Sequence, residues 1–385
     1  MKKAIVLGAA MLLAGAAVFA AEEKKGPAVK FGGNFQAGYA FQFGSEKNTT
    51  KQFQDYDDDK LGDVKLTLNV SDADGLWSVA MDDFELKNGK GENAYGPFAG
   101  RHVDARATID LSKSLALAGV DTGDFSVKLS VGNKSEAGSV DMLTAYGDWS
   151  GKHYQRNRIQ GDYTTYVDVA YGKLVSVRAA TSPMKKDVGD KGGDSYYPFA
   201  LSAKVSPVAG VDATVDYGYV AKTGNTIVSK HSVGGSVKVD AAKLLSLDGY
   251  KLYVGAVDHY GIDTQHETTE ALTEDNQNIL AVTVGGGVDM VDGYVEYSRR
   301  DDVNGLKVGA NLNLVKGLGL SPYWEDTDLD EDGWKVGLDT SYLLGSVTWH
   351  LDMNYATDGY DTMVDTGKAK TQNTFTVSPY VSFAF

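Results

Sequence analysis

Few side chains in this 385-residue sequence stand at spacings suited to covalent chemistry. The six histidines, His102, His153, His231, His259, His266 and His350, share no metal-binding spacing, and no Ser–His–Asp arrangement is legible among them. Val284-Gly285-Gly286-Gly287 precedes no helical pattern, so it reads as strand glycine rather than a phosphate loop. Glycines there let a loop or a bulky side chain approach the wall. Asp328-Leu329-Asp330-Glu331-Asp332-Gly333, with Asp339, has the acidic spacing of an EF-hand loop. Lys335 fills the eighth position, where an apolar residue belongs, and a strand pattern already starts at Gly333. Asp328, Asp330 and Asp332 are thus a weak site for loosely held Ca²⁺ or Mg²⁺, with a solvated acidic tip as the plain reading. No other cofactor is called for. With no paired acid/base set in view, the sequence does not read as an enzyme.

The remaining charged side chains have a different organisation, set by the elements that carry them. In Thr371–Phe385 the residues Phe375, Val377, Pro379, Val381, Phe383 and Phe385 alternate with Thr374, Thr376, Ser378, Tyr380, Ser382 and Ala384. A period of two is a strand. Val29–Phe43 alternates in the same way, as do segments such as Val103–Leu111, Phe125–Val131 and Tyr163–Tyr171. About eighteen such segments of some 9–11 residues follow one another, sixteen being the alternative count, and that length suits a tilted membrane strand. The only helical hint past the start of the chain is Ser112–Gly119.

Lys2, Lys3, the run Ala4–Ala17 and Val18-Phe19-Ala20 read as a secretory signal peptide over 1–20. A short lead over 21–28 and one domain over 29–385 follow. An exported chain of this length without cysteine must be held together by something other than disulfides. The net charge of −15 argues against nucleic acid as a partner.

Long and short links tend to alternate. Long ones are Gly44–Asp59, Lys87–Arg101, Asn133–Asp162, Ser182–Pro198, Gly261–Gln277 and Ala356–Lys370. Short ones are Asp72–Gly75, Gly172–Lys173, Pro207–Gly210, Asp292–Gly293, Val315–Gly317 and Leu343–Gly345. That asymmetry, with lipid requiring every backbone polar group to be paired, predicts an all-β fold: a transmembrane antiparallel β-barrel with short periplasmic turns and long outer loops. Trp77, Tyr171, Tyr219, Trp324, Trp334, Tyr342, Trp349, Tyr355 and Phe385 fall near strand ends in the apolar phase, as interfacial aromatics do.

The opposite phase then faces a lumen. It carries Lys30, Lys65, Arg106, Lys128, Arg178, Lys204 and Lys307 against Asp104, Asp168, Asp212, Asp216 and Asp339, with Lys238, Lys251, Lys335, Asp110, Glu296 and Asp352 in the same phase. The two signs nearly cancel. The acidic excess therefore sits mostly in the outer runs QDYDDDK, QHETTEALTEDNQ, EDTDLDEDG and TDGYDTMVD. A field at the mouth gives a weak, salt-dependent cation preference.

From signal to terminal Phe, the chain resembles bacterial outer-membrane porins, general or substrate-specific. The resemblance implies an outer-membrane location, bilayer lipid as surroundings, and a C-terminal signal read by the barrel assembly machinery, here Tyr380, Phe383 and Phe385. Pro379 departs from an ideal last strand, since it removes one ladder hydrogen bond. The resemblance also implies a third outer loop folded into the pore. Here that loop is Asn133–Asp162, and its Tyr146, Asp148, Trp149, Lys152, His153, Tyr154, Arg156 and Arg158 are the implied constriction.

The expected function is a water-filled channel for passive diffusion of ions and small hydrophilic solutes. The alternatives are a substrate-specific channel, with Tyr166, Tyr253, Tyr294 and Tyr323 as a sugar track, and a surface adhesin or structural barrel. Monomer and homotrimer both stay open.

Overall fold

The computed structural model describes residues 26–44, 49–52, 64–85, 104–136, 163–182, 185–186, 195–223, 226–267, 273–300, 303–330, 333–358, 360 and 373–384. Its strands are β1 (Ala28–Gly44), β2 (Thr49–Gln52), β3 (Val64–Ser71), β4 (Trp77–Glu85), β5 (Asp104–Asp110), β6 (Phe125–Glu136), β7 (Tyr163–Tyr171), β8 (Val175–Thr181), β9 (Lys185–Lys186) and β10 (Ser195–Val208). They continue as β11 (Val211–Thr223), β12 (Thr226–Asp240), β13 (Tyr250–Glu267), β14 (Thr273–Val288), β15 (Val291–Arg300), β16 (Val303–Val315), β17 (Leu318–Asp328), β18 (Gly333–Leu344), β19 (Val347–Ala356) and β20 (Thr374–Ala384). Two are stubs: β2 extends the flank of β1 beyond β3, and β9 extends the flank of β10 beyond β8. The other eighteen pair antiparallel in a closed ring.

The ring closes at β1. One edge pairs with β3 from Ala28↔Ser71 to Phe35↔Val64, the other with β20 from Asn34↔Ala384 to Gly44↔Thr374. The two neighbours meet different stretches of β1, which is the stagger a closed, tilted sheet requires. Ring contacts reinforce this seam, with Phe35 and Phe383 centroids 5.1 Å apart and Phe43 and Phe375 6.4 Å apart. Register is continuous across Pro379, but the pairs Tyr39–Pro379 and Ala40–Ser378 are missing from the ladder. The proline thus produces a local gap and no bulge.

The exposure pattern is the reverse of a soluble protein's. On β15, Val291 and Val295 are 42 % and 47 % exposed, while Asp292, Glu296 and Ser298 are 6 %, 0 % and 4 % exposed. Large apolar side chains stand outward on strand after strand, among them Val169, Leu201, Val215, Val237, Val254, Val284, Val308 and Leu351. An apolar surface of that extent needs a bilayer, and the closed ladder leaves no strand edge unpaired within it. Two stacked sheets with these side chains buried between them are ruled out. Aromatics mark both borders of the band. Tyr342 faces Trp349 and Phe125 lies 4.9 Å from Tyr171 near the turns, while Trp334 lies 5.9 Å from Tyr355 toward the other end. Trp349 to Tyr355 covers about 20 Å along a tilted strand.

The short turns fall at one end of the barrel, and the strand ends that flank the outer links fall at the other. Several link boundaries differ from the expectation. β13 and β14 extend to Glu267 and from Thr273, so most of Gly261–Gln277 is strand. The turn expected at Asp292–Gly293 falls at Asp289-Met290, with Asp289 at φ 47°, and Asp292 and Gly293 belong to β15. The turn end also carries two longer links with related sequences. Asp110 caps the helical turn Leu111–Leu117, accepting from Lys113 N at 3.0 Å, and Asp240 caps Ala241–Leu244, accepting from Lys243 N at 2.9 Å. Both read Asp-x-(Ser/Ala)-Lys-x-Leu-x-Leu-x-Gly, with the third residue buried and the glycines at φ +84° and +78° closing the turn. Only the first was anticipated in the sequence.

Candidate functional site

The inner wall is organised in rows that run from strand to strand along the ladder. One row places Asp110 opposite Lys128, Lys128 opposite Asp168 and Asp168 opposite Arg178, then continues through Ser202 to Asp216. A second pairs Asp212 with Lys238, passes Gly255 and Thr283, and continues through Glu296, Lys307, Glu325 and Lys335. Charge alternates along both rows, and each opposed pair of unlike sign is favourable. Arg178 grips Asp168 through Nε at 2.6 Å and Nη2 at 3.0 Å, and its guanidinium lies 5.2 Å from the centre of the Tyr166 ring. Glu325 receives Lys335 at 3.1 Å and Lys307 at 3.3 Å. Thr283 donates to Glu296 at 2.6 Å.

A third row contains no charge. Tyr253, Gly285, Tyr294, Gly309, Tyr323 and Gly337 are successive partners across β13 to β18. Each tyrosine lies flat over the glycine of the following strand, and a Cβ at Gly285, Gly309 or Gly337 would fall on the ring of Tyr253, Tyr294 or Tyr323. Glycine thus makes the notch and the aromatic fills it, as the Gly285 run suggested. The rings recur about every 10 Å, two strand spacings. Lys307 and Lys335 stand 4.9 and 5.4 Å from the Tyr323 centroid. Tyr166 and Tyr253 are 1 % and 8 % exposed. Tyr166 and Tyr253 are thus buried against the wall, while Tyr294 and Tyr323 are half-buried.

Of the residues singled out in the sequence, Arg106, Lys128, Asp168, Arg178, Lys204, Asp212, Asp216, Lys307 and Asp339 lie in the inward phase, and Lys30 does so opposite Asn69. Asp212 also accepts from Ser206 Oγ at 2.5 Å. Lys65 and Asp104 are strand residues whose side chains lie outside the described set. Asp339 and Asp352 face each other, a like-charge exception to the alternation. Tyr380 packs inward, stacked on His350 at 4.2 Å, while Phe383 faces outward and Phe385 is outside the described residues. Tyr146, Asp148, Trp149, Lys152, His153, Tyr154, Arg156 and Arg158 also lie outside them. At the acidic tip, Asp326 and Asp328 accept from the backbone N–H groups of Asp328 and Asp330 at 3.1 and 3.2 Å. Asp332 is outside the described residues, among which no group of three or more metal-ligating side chains comes together.

Two wall residues and one link residue that reaches the wall were missed. Glu325 was assigned to the acidic outer run, Asp292 to a turn, and Tyr360 to no site. Asp292 accepts from Lys251 and, at 2.9 Å, from Asn311. Tyr360, from the link after β19, is 3 % exposed and donates its hydroxyl to Glu325. Burial and the Glu325 carboxylate push the Tyr360 phenol well above its usual range, so it stays a donor. The spacing signal was available for Glu325, since Ser321, Tyr323 and Glu325 share one phase. Tyr360 gave no periodic signal.

No protein-family model matches the sequence, and no curated protein sequence matches it significantly. Solved structures do match the fold. Pseudomonas aeruginosa OpdQ aligns at a TM-score of 0.53 and 10 % identity, over 93 % of this chain and 98 % of that one. The outer membrane protein OprD from the same organism aligns at 0.52 and 8 %, over 94 % and 96 %. Pseudomonas aeruginosa OccK9 (OpdG) aligns at 0.52 and 10 %, over 93 % and 98 %. At these identities the likeness establishes the barrel fold.

Proposed function

We propose that the protein is a porin-type channel of the outer membrane, through which ions and small hydrophilic solutes diffuse passively. The supporting observation is the pair of faces on one closed sheet: apolar side chains outside, and rows of paired charges, hydroxyls and amides inside. Such a wall offers water and solutes a polar surface and calls for no covalent step. The fold shared with OprD, an outer membrane protein, agrees with this location.

Alternation of sign keeps the field of the wall short-ranged. Selectivity then falls to the mouth, where the acidic excess of the sequence lies and gives a weak preference for cations. Bilayer lipid and the barrel assembly machinery are the partners this reading requires, with Tyr380, Phe383 and Phe385 as the terminal signal. Loose Ca²⁺ or Mg²⁺ at the acidic outer links would lower the mouth field. Refolded protein in a planar bilayer under a KCl gradient tests the reading. Ohmic conductance steps with a small cation-selective reversal potential, growing as salt is lowered, are expected. No steps would overturn the channel, and an anion-selective potential would overturn the cation preference.

A further inference from the structure

Tyr360 stands apart from the rest of the lumen lining because it comes from a link and not from the wall. The backbone places it. Thr357 N donates to the Trp334 carbonyl at 2.9 Å, Trp334 N donates to Thr357 Oγ1 at 2.8 Å, and Tyr360 N donates to the Thr357 carbonyl at 3.2 Å. Asn373 fastens the other end of the link, its Oδ1 accepting from Tyr355 Oη at 3.0 Å and Asp358 N at 3.2 Å. This tight turn at the end of β19 aims the phenol into the barrel, where it reaches Glu325 on β17 across β18.

The Glu325 carboxylate thereby becomes fully committed. It holds Lys307 on one side and Lys335 on the other and accepts from Tyr360, whose ring lies 5.7 Å from the Lys335 ammonium. The Glu325 and Lys307 side chains are only 6 % and 11 % exposed. The Tyr360 ring is one of the groups that cover this cluster.

We infer that Tyr360 is a constriction residue. It clasps the start of the last outer link to the inner wall, adds the bulk of its ring beside β17 and β18, and covers the Lys307–Glu325–Lys335 ion cluster. This inference rests on the channel reading for its effect on transport, while the clasp itself can be tested without it.

Two measurements on Tyr360→Phe, Tyr360→Ala and Glu325→Gln separate the two. Hydrogen exchange of the peptide spanning Thr357–Tyr360 in the refolded barrel reads the clasp. Removing a hydrogen bond to a charged group in Tyr360→Phe should speed that exchange by roughly tenfold or more, with distant strands unchanged. Glu325→Gln should do the same, and Tyr360→Phe keeps the test alive if that variant does not fold. Unitary conductance reads the narrowing. It should be higher in Tyr360→Ala than in wild type, with excess current noise at low salt from the uncovered charges, and intermediate in Tyr360→Phe. Unchanged exchange in Tyr360→Phe overturns the clasp. Wild-type conductance in Tyr360→Ala overturns the constriction. If wild-type protein passes no current, the channel reading and the transport role of Tyr360 fall together, and the exchange result still decides the clasp.

Discussion

The Tyr323 ring lies flat across Gly337 on the neighbouring strand, in the position a β-carbon would occupy. Overpacking at such a notch forces the ring off the wall at a cost of roughly 1–3 kcal/mol. Gly337→Ala should therefore lower the urea midpoint of the folded barrel. The Tyr323→Leu/Gly337→Ala pair should recover most of the loss, giving a favourable coupling in a double-mutant cycle. Independent, additive losses would show that the ring does not fill the notch.

Alternating charge along the wall makes a prediction about ion preference. Arg178→Gln leaves Asp168 without its two-point partner, and Asp168→Asn does the converse. Reversal potentials should move in opposite directions, toward cations in the first and toward anions in the second, with the double variant close to wild type. A shift of the same sign in both would mean that the local wall charge does not reach the permeating ions.

The seam between β1 and β20 contains a built-in weakness. Pro379 brings no N–H, and the ladder skips two residue pairs there. Pro379→Val restores the donor in a β-branched residue and should stabilise the barrel by about 0.5–1.5 kcal/mol, the net worth of one hydrogen bond. Thermal unfolding followed by gel mobility would record it. An unchanged or lowered transition would place the limiting weakness elsewhere.

The repeated helical turns at the turn end depend on their caps. Asp110→Ala and Asp240→Ala each remove one carboxylate acceptor and should cost about 1 kcal/mol. Leu111–Leu117 packs on β6 and Ala241–Leu244 on β12 and β13, so the two losses should add. Denaturant midpoints of the single and double variants check both statements.

Most of the barrel was legible because lipid on one side and water on the other impose a period of two, and that period fixes phase residue by residue. The Phe375–Phe383 stripe, the inward phase of Arg178 and the strand-end aromatics all followed from it. Boundaries failed where the constraint ends. Asp263–Glu267 and Thr273–Gln277 are polar at every position, so these strand stretches carry no alternation and resemble loop. The same loss hid Glu325 at the start of an acidic run. Asp289-Met290 makes its turn without turn-type residues on both sides, which shifted Asp292 out of the wall. Tyr360 was invisible for a different reason: its place is set by the Thr357–Trp334 staple and the Glu325 carboxylate, contacts distant in sequence that no periodicity encodes.

The central claim is that one face of each strand meets hydrocarbon and the other meets water inside a closed ring. The chain has no cysteine, so single cysteines at Trp349, His350, Leu351 and Asp352 on β19 can each carry one spin label without background. In refolded proteoliposomes, labels at 349 and 351 should collide preferentially with oxygen, and those at 350 and 352 with a water-soluble nickel complex. Oxygen preference at 350 and 352, or no alternation along the four positions, would contradict the account.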